Sequence, residues 1–200
     1  MLRLFVYPFL VYRSFFQPFF VLSLIVVPCW LVFRTYRLRA TNHPLSWRRE
    51  LLLLTLVVYL CGLGSATLSP NHGSRARADA TAGIQLRPNL ASLTCSSANL
   101  PSGSNSRFFC LYNAKGNVLL FLPLGILLPL VSRRLRFWHG LAIALALSFG
   151  IEVAQYVSRT WGSYRLADVN DVILNGLGAG LGLVLVSVLR LMVEAEPQAG

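Results

Sequence analysis

The sequence predicts an all-α fold, a polytopic integral membrane helix bundle of about five transmembrane helices. Three observations carry that prediction. The 200-residue chain is 55% hydrophobic, with a mean hydropathy of +0.60. Only 12% of its residues are charged, about half the share of an ordinary soluble domain. Its apolar residues also fall in five runs close to the roughly 20 residues that a helix needs to cross a hydrocarbon core.

The first run, Ser14 to Phe33, follows an aromatic stretch (FVYPFLVYRSFF) of the kind that settles at a membrane interface. Pro18 and Pro28 are expected to kink this helix or to mark its ends. No small-residue cleavage site follows the apolar start with Arg3 and Arg13, so it reads as retained and not as a signal peptide. The second run is Glu50 to Leu68. The third, Asn117 to Val131, is short and contains Pro123 and Pro129. The fourth is Phe137 to Val157, and the fifth is Val169 to Met192, glycine-rich in its first half. Pro70 to Asn113 is the one extended polar segment, rich in Ser, Asn, Gly and Ala and without clear periodicity. Within it, Ile84 to Leu93 is more apolar and is expected to dock at the membrane surface.

These runs divide the chain into an N-terminal helix with a basic cytoplasmic connection (1–50), a membrane domain (51–192) with an external loop (70–114), and a cytoplasmic tail (193–200). The net charge of +11 comes from 17 arginines and Lys115 against seven acids. Nucleic-acid binding would call for a basic face. Here the arginines punctuate the apolar runs instead, as in membrane proteins beside anionic lipid. Arg34, Arg37, Arg39, Arg48 and Arg49 crowd the first connection, and Arg133, Arg134 and Arg136 the third. The positive-inside rule assigns both to the cytoplasm, which puts the N-terminus outside and the C-terminus inside.

Cys29 and Cys61 lie within apolar runs and read as small buried hydrophobes. Cys95 and Cys110 lie in the polar segment; an external loop would let them pair, and the sequence leaves that pairing open. His43, His72 and His139 are scattered, and no spacing resembles a zinc or iron–sulfur site, so no metal ligands are assigned.

The residues that point to function lie between the fourth and fifth runs. Carboxylates and amides are costly at membrane depth unless they face a protein interior or a wet cavity. Glu152 and Gln155 are three apart and share a helix face. Asp168, Asp171 and Asn175 are spaced i, i+3, i+7 and form another. The turn between them holds Arg165. Asn117 opens the third run and Lys115 precedes it, placed to meet an anionic head group. We take Glu152, Asp168 and Asp171 as candidate catalytic groups, and Gln155, Arg165, Asn175 and Asn117 as candidate substrate-binding groups. Each also has a plainer role. Asp168 or Asp171 can cap a helix, and Glu152 can snorkel or pair with an arginine. Gly176, Gly178, Gly180 and Gly182 lack the lysine of a phosphate loop and read as packing positions, with Gly178 and Gly182 four apart.

The chain resembles the VanZ-like family of bacterial membrane proteins. The resemblance rests on N-x3-F-x-P-x-G (Asn117, Phe121, Pro123, Gly125), on E-x2-Q (Glu152, Gln155), and on R-x2-D-x2-D-x3-N-x2-G (Arg165, Asp168, Asp171, Asn175, Gly178). Asn89 and Leu90 match the start of a further stretch, where Ala91 and Ser92 replace the family's Pro-Phe. It covers roughly Leu51 to Leu191. The family is named for an accessory factor in resistance to the glycopeptide teicoplanin. The resemblance therefore implies the plasma membrane of a bacterium, an envelope role and a link to glycopeptide susceptibility, and it supplies no reaction and no cofactor.

Three functions follow. The first is an envelope protein whose outward polar site binds an anionic lipid-linked or cell-wall component, with Arg165 meeting anionic oxygens through its planar fork. A membrane enzyme acting on such a lipid would use the same carboxylates as acid and base or as metal ligands. A structural or assembly subunit would use the polar cluster only to lock helices together. Membrane lipids are the expected partners in each case, and the oligomeric state is left open.

Overall fold

The computed structural model describes residues 13–41, 46–68, 85–95, 104–158 and 167–195. Most of the N-terminal aromatic stretch, His43, His72, most of the polar segment, Arg165 and the end of the tail lie outside them. The described residues form helices α1 (Arg13–Thr41), α2 (Trp47–Leu68), α3 (Leu90–Thr94), α4 (Ser104–Val131), α5 (Phe137–Ser158) and α6 (Val169–Ala195). Five of these are long and apolar enough to cross a membrane. The chain is a multi-pass, all-α membrane protein. Among the described residues the only β pairing is an isolated parallel bridge between Gln85 and Asp168.

Two helices extend well beyond the apolar runs that announce them. α1 continues past Phe33 to Thr41, and both Pro18 and Pro28 lie inside it. Its polar extension is used: Arg34 reaches Glu50 on α2, and Arg37 lies 6.0 Å from the Phe33 ring centroid. α4 begins at Ser104, thirteen residues before Asn117, so the last part of the expected external loop is helical. Between Arg107 and Asn117 there is no proline, and polar residues there find partners: Asn113 and Asn117 with Asp171, and Cys110 with Cys95. Polarity marks a loop only when no tertiary partner exists.

The molecule divides into two compact units. The first holds α1 and α2, tied at both ends. Ser65 Oγ donates to the Phe15 carbonyl at 2.5 Å, while Arg34 makes a two-bond ion pair with Glu50 at 2.7 and 2.6 Å. Between these ends Gly62 and Gly64 leave room for Phe19 and Leu22. Leu24, Ile25 and Val32 on α1 are exposed, as suits side chains that face lipid. Cys29 is exposed as well, against the sequence expectation, because it lies on this outward side; Cys61 is buried as expected.

The second unit holds α3, α4, α6 and all but the last two residues of α5. Its centre is the contact of α4 with α6. A Cβ on Gly125 would overlap the Ala179 carbonyl, one on Gly178 that of Val118, and one on Gly182 that of Leu122. Small residues thus bring the two backbones together, as the four-residue spacing of Gly178 and Gly182 predicts. Phe121, Leu124, Ala179 and Leu183 fill the core around them. α5 packs on α6 through Leu145 against Gly176 and Leu183 against Gly140. At the far end Arg190 donates to the Pro129 carbonyl, one of the acceptors that the end of α4 leaves without a helical partner. Cys95, at φ 49° just after α3, forms a disulfide with Cys110 of α4 at a Cα–Cα distance of 5.7 Å. Closing that 15-residue separation contributes about 3 kcal/mol on a chain-entropy account.

Gly178→Val is expected to lower stability by more than about 3 kcal/mol, because backbone faces backbone and neither can retreat. Gly180→Val, at a position with nothing within 4 Å, is expected to leave it nearly unchanged. Thermal unfolding of both variants in mild detergent, followed by size-exclusion chromatography, checks the contrast.

Candidate functional site

The polar cluster is built around the N-terminus of α6. A helix start leaves backbone N–H groups without helical partners, and at membrane depth each must be met. Here they are met in order. The Asp168 N–H donates to Glu152 Oε2 at 2.9 Å, and the Val169 N–H to the Gln85 carbonyl at 3.0 Å. The Asn170 N–H donates to Asp168 Oδ1 at 2.9 Å, and the Asp171 N–H to the Asp168 carbonyl at 3.0 Å. Asp168 is therefore the N-cap, the plainer of its two expected roles. Glu152 is buried at 6% exposure, and the positive end of α6 is what its carboxylate faces.

α5 buries one face, Ala144, Ser148, Ile151, Glu152 and Gln155. This face meets α6 twice: at Glu152, and one turn deeper where Asn175 Nδ2 donates to Ser148 Oγ at 2.9 Å. From the other side α4 supplies Asn117 and Asn113, whose amides donate to Asp171 Oδ1 at 2.7 and 3.2 Å. The segment before α3 closes the cluster, since the Asn89 N–H donates to Asn170 Oδ1 at 3.0 Å. The structure thus brings together Glu152, Asp168, Asp171, Asn175 and Asn117, with Gln155 buried on the same face of α5. Arg165 lies outside the described residues.

Two buried amides keep an unpaired atom. Asn170 is 2% exposed and Asn175 3%. Among the described residues, Asn170 Nδ2 and Asn175 Oδ1 have no hydrogen-bond partner. The Asn89 N–H can only donate, which fixes the Asn170 amide and leaves Nδ2 as a spare donor. The Ser148 hydroxyl can donate or accept, so one polar atom of Asn175 is spare whichever way its amide faces. Native interiors hold few such groups, and each calls for an explanation such as a bound water, ion or ligand. Among the described residues no three His, Cys, Asp or Glu side chains gather where they could hold a metal ion.

Sequence reasoning missed Asn170, Ser148 and Asn113. A signal was present for each: Ser148 is four before Glu152, Asn113 four before Asn117, and Asn170 sits between two assigned aspartates.

A sequence profile of the VanZ/LLP1 family matches residues 51–190. The chain belongs to the VanZ/LLP1 family. It is also similar to protein VanZ of Enterococcus faecium, 35% identical over 69 residues, which cover 34% of this chain and 40% of that protein. The match therefore spans less than half of that relative's length. No solved structure matches the chain. The VanZ/LLP1 region includes most of α2, α3 to α5 and most of α6, so the whole polar cluster lies inside it.

Asp168→Ala removes the cap and is expected to cost about 1 kcal/mol, whereas Asp168→Asn keeps an oxygen for the Asn170 N–H and is expected to lose a smaller part of it. Thermal unfolding of the two variants side by side checks this.

Proposed function

We propose that this VanZ/LLP1 protein is a bacterial envelope protein whose outward-facing polar cluster binds an anionic lipid-linked or cell-wall component. The observation that carries the reading is the pair of buried, unpaired amide atoms, above all the spare donor of Asn170, within a cluster whose other described polar groups are engaged. A buried N–H donor with no partner suits an anionic oxygen. Arg165, three residues before Asp168 in the sequence, would add a charged fork. A link to glycopeptide susceptibility is the physiological form that the family resemblance gives this role.

Two features support the outward placement. Disulfides persist outside the cytosol and are rare within it, and Cys95–Cys110 joins α3, beside Asn89, to the end of α4 that carries Asn113. The opposite end of α4 leads to Arg133, Arg134 and Arg136, the charges that the positive-inside rule keeps in the cytoplasm.

The helix lock is the second reading, and a specific observation favours it: Glu152, Asp168 and Asp171 all accept hydrogen bonds from neighbouring chain. The two readings part on Asn170→Asp, which keeps the oxygen for Asn89 and replaces the spare donor with an acceptor. Native mass spectrometry in mild detergent is expected to show an anionic adduct on the wild type that falls about tenfold or more in this variant. The same nonspecific lipid on both proteins would leave the lock as the answer. Glu152→Gln, which weakens a charge-assisted bond to the α6 start, is expected to cost about 1–3 kcal/mol in thermal unfolding under either reading.

The topology has its own check. In intact cells, Cys95 and Cys110 are expected to react with a membrane-impermeant maleimide only after treatment with an impermeant reductant. Labelling that requires permeabilisation would reverse the orientation.

A further inference from the structure

The α1–α2 unit carries a candidate site of its own. Where α1 ends and α2 begins lies a cavity of about 230 Å³, lined among others by Arg34, Arg37, Thr41, Ser46, Arg49 and Glu50. Its chemistry is one-sided. Three arginines face one carboxylate, which leaves a net +2, and that carboxylate already holds Arg34 in a two-bond pair. The pair fixes the floor of the cavity and spends the only negative charge in its lining. Arg37 and Arg49 are exposed and add their charge at the rim.

The position of the cavity relative to lipid is set by the apolar runs. α1 is apolar up to Phe33, immediately before Arg34, and α2 becomes apolar at Leu51, immediately after Glu50. The Arg34–Glu50 pair therefore marks the edge of the hydrocarbon, and the cavity opens into the headgroup layer. Phe20, Leu24, Ile25 and Leu31 leave an exposed apolar surface along α1 on which acyl chains can lie. The volume is below the ~300–1,000 Å³ of sites that enclose a whole drug-sized ligand, and is suited to a headgroup whose chains remain in the bilayer. Basic pockets between helices at the cytoplasmic side recognise anionic headgroups in this manner. Every lining residue precedes residue 51, where the VanZ/LLP1 match begins.

We propose that this cavity binds the phosphate headgroup of an anionic phospholipid, with Arg37 and Arg49 contacting the phosphate and the Arg34–Glu50 pair holding the two helix ends at the required spacing.

The test uses the full chain, delipidated in non-ionic detergent and titrated with phosphatidylglycerol, with phosphatidylcholine of the same chains, and with inorganic phosphate. Bound lipid is counted by native mass spectrometry. Wild type is expected to prefer phosphatidylglycerol over phosphatidylcholine, and Arg37→Gln with Arg49→Gln is expected to reduce phosphatidylglycerol affinity about thirtyfold, at roughly 1 kcal/mol per arginine. Both residues are exposed and the Arg34–Glu50 pair stays intact in this variant; its unfolding temperature, expected to stay within a few degrees of wild type, checks the fold. Arg133→Gln with Arg134→Gln, in the other basic connection, is expected to keep the preference. Equal phosphatidylglycerol binding by wild type and the Arg37/Arg49 variant overturns the site, as does an equal loss in the Arg133/Arg134 variant, which would mean diffuse charge attraction. Inorganic phosphate binding as tightly as the lipid overturns the assignment to a phospholipid.

Discussion

The approach of α4 to α6 is the contact on which the second unit depends. Gly125, Gly178 and Gly182 let carbonyl-bearing backbone lie where a side chain would otherwise stand. In lipid the hydrophobic effect offers little to hold helices together, so close van der Waals contact must do it. The consequence for the site is geometric. Only at this separation do Asn113 and Asn117 reach Asp171 from α4, while α5 reaches the same end of α6 through Glu152 and Ser148.

What gathers at that end is decided by backbone accounting. The start of α6 exposes N–H groups in a region where unmet donors are costly. Four different acceptors meet them: a carboxylate of α5, a carbonyl of the bridging segment, and the side chain and carbonyl of Asp168. Of the three acids, Glu152 and Asp168 accept from N–H groups at the positive end of α6, and Asp171 accepts from the amides of Asn113 and Asn117. The exceptions to this satisfaction are Asn170 and Asn175, each buried with one polar atom over. A network that only locked helices would gain nothing from leaving them unmet. They are accordingly the atoms to which the proposed ligand is referred.

The two units differ in how their charges are handled. Within α1 and α2 the ion pair lies at a helix-end boundary, and Arg37, Arg39, Arg48 and Arg49 are exposed. Within the second unit Glu152 is buried, and its carboxylate accepts from the Asp168 N–H at the start of α6. The first pattern suits attraction of a headgroup from outside the protein, and the second suits a shaped interior site. The family match covers the interior site and leaves out the arginine cavity.

By itself the sequence determined that five helices are long and apolar enough to cross a membrane, because apolar length and scarcity of charge are properties of the chain alone. It also singled out most of the residues that the polar cluster brings together. Glu152 with Gln155, and Asp168 with Asp171 and Asn175, share faces by helical spacing, and no tertiary information is needed to see them. The packing role of Gly178 and Gly182 was legible for the same reason. Only the tertiary structure decided what these residues do. Asp168 is a cap and Asp171 a partner of α4, although a sequence spacing treats both carboxylates alike. α4 begins thirteen residues earlier than its apolar run, because Asn113 and Cys110 are fixed by Asp171 and Cys95, partners distant in sequence. Cys95 and Cys110 pair for the same reason, as α3 and α4 bring them together. Ser148 and Asn170 entered the site through contacts with other segments. Periodicity reports which face a residue occupies, and only the fold reports what stands opposite that face.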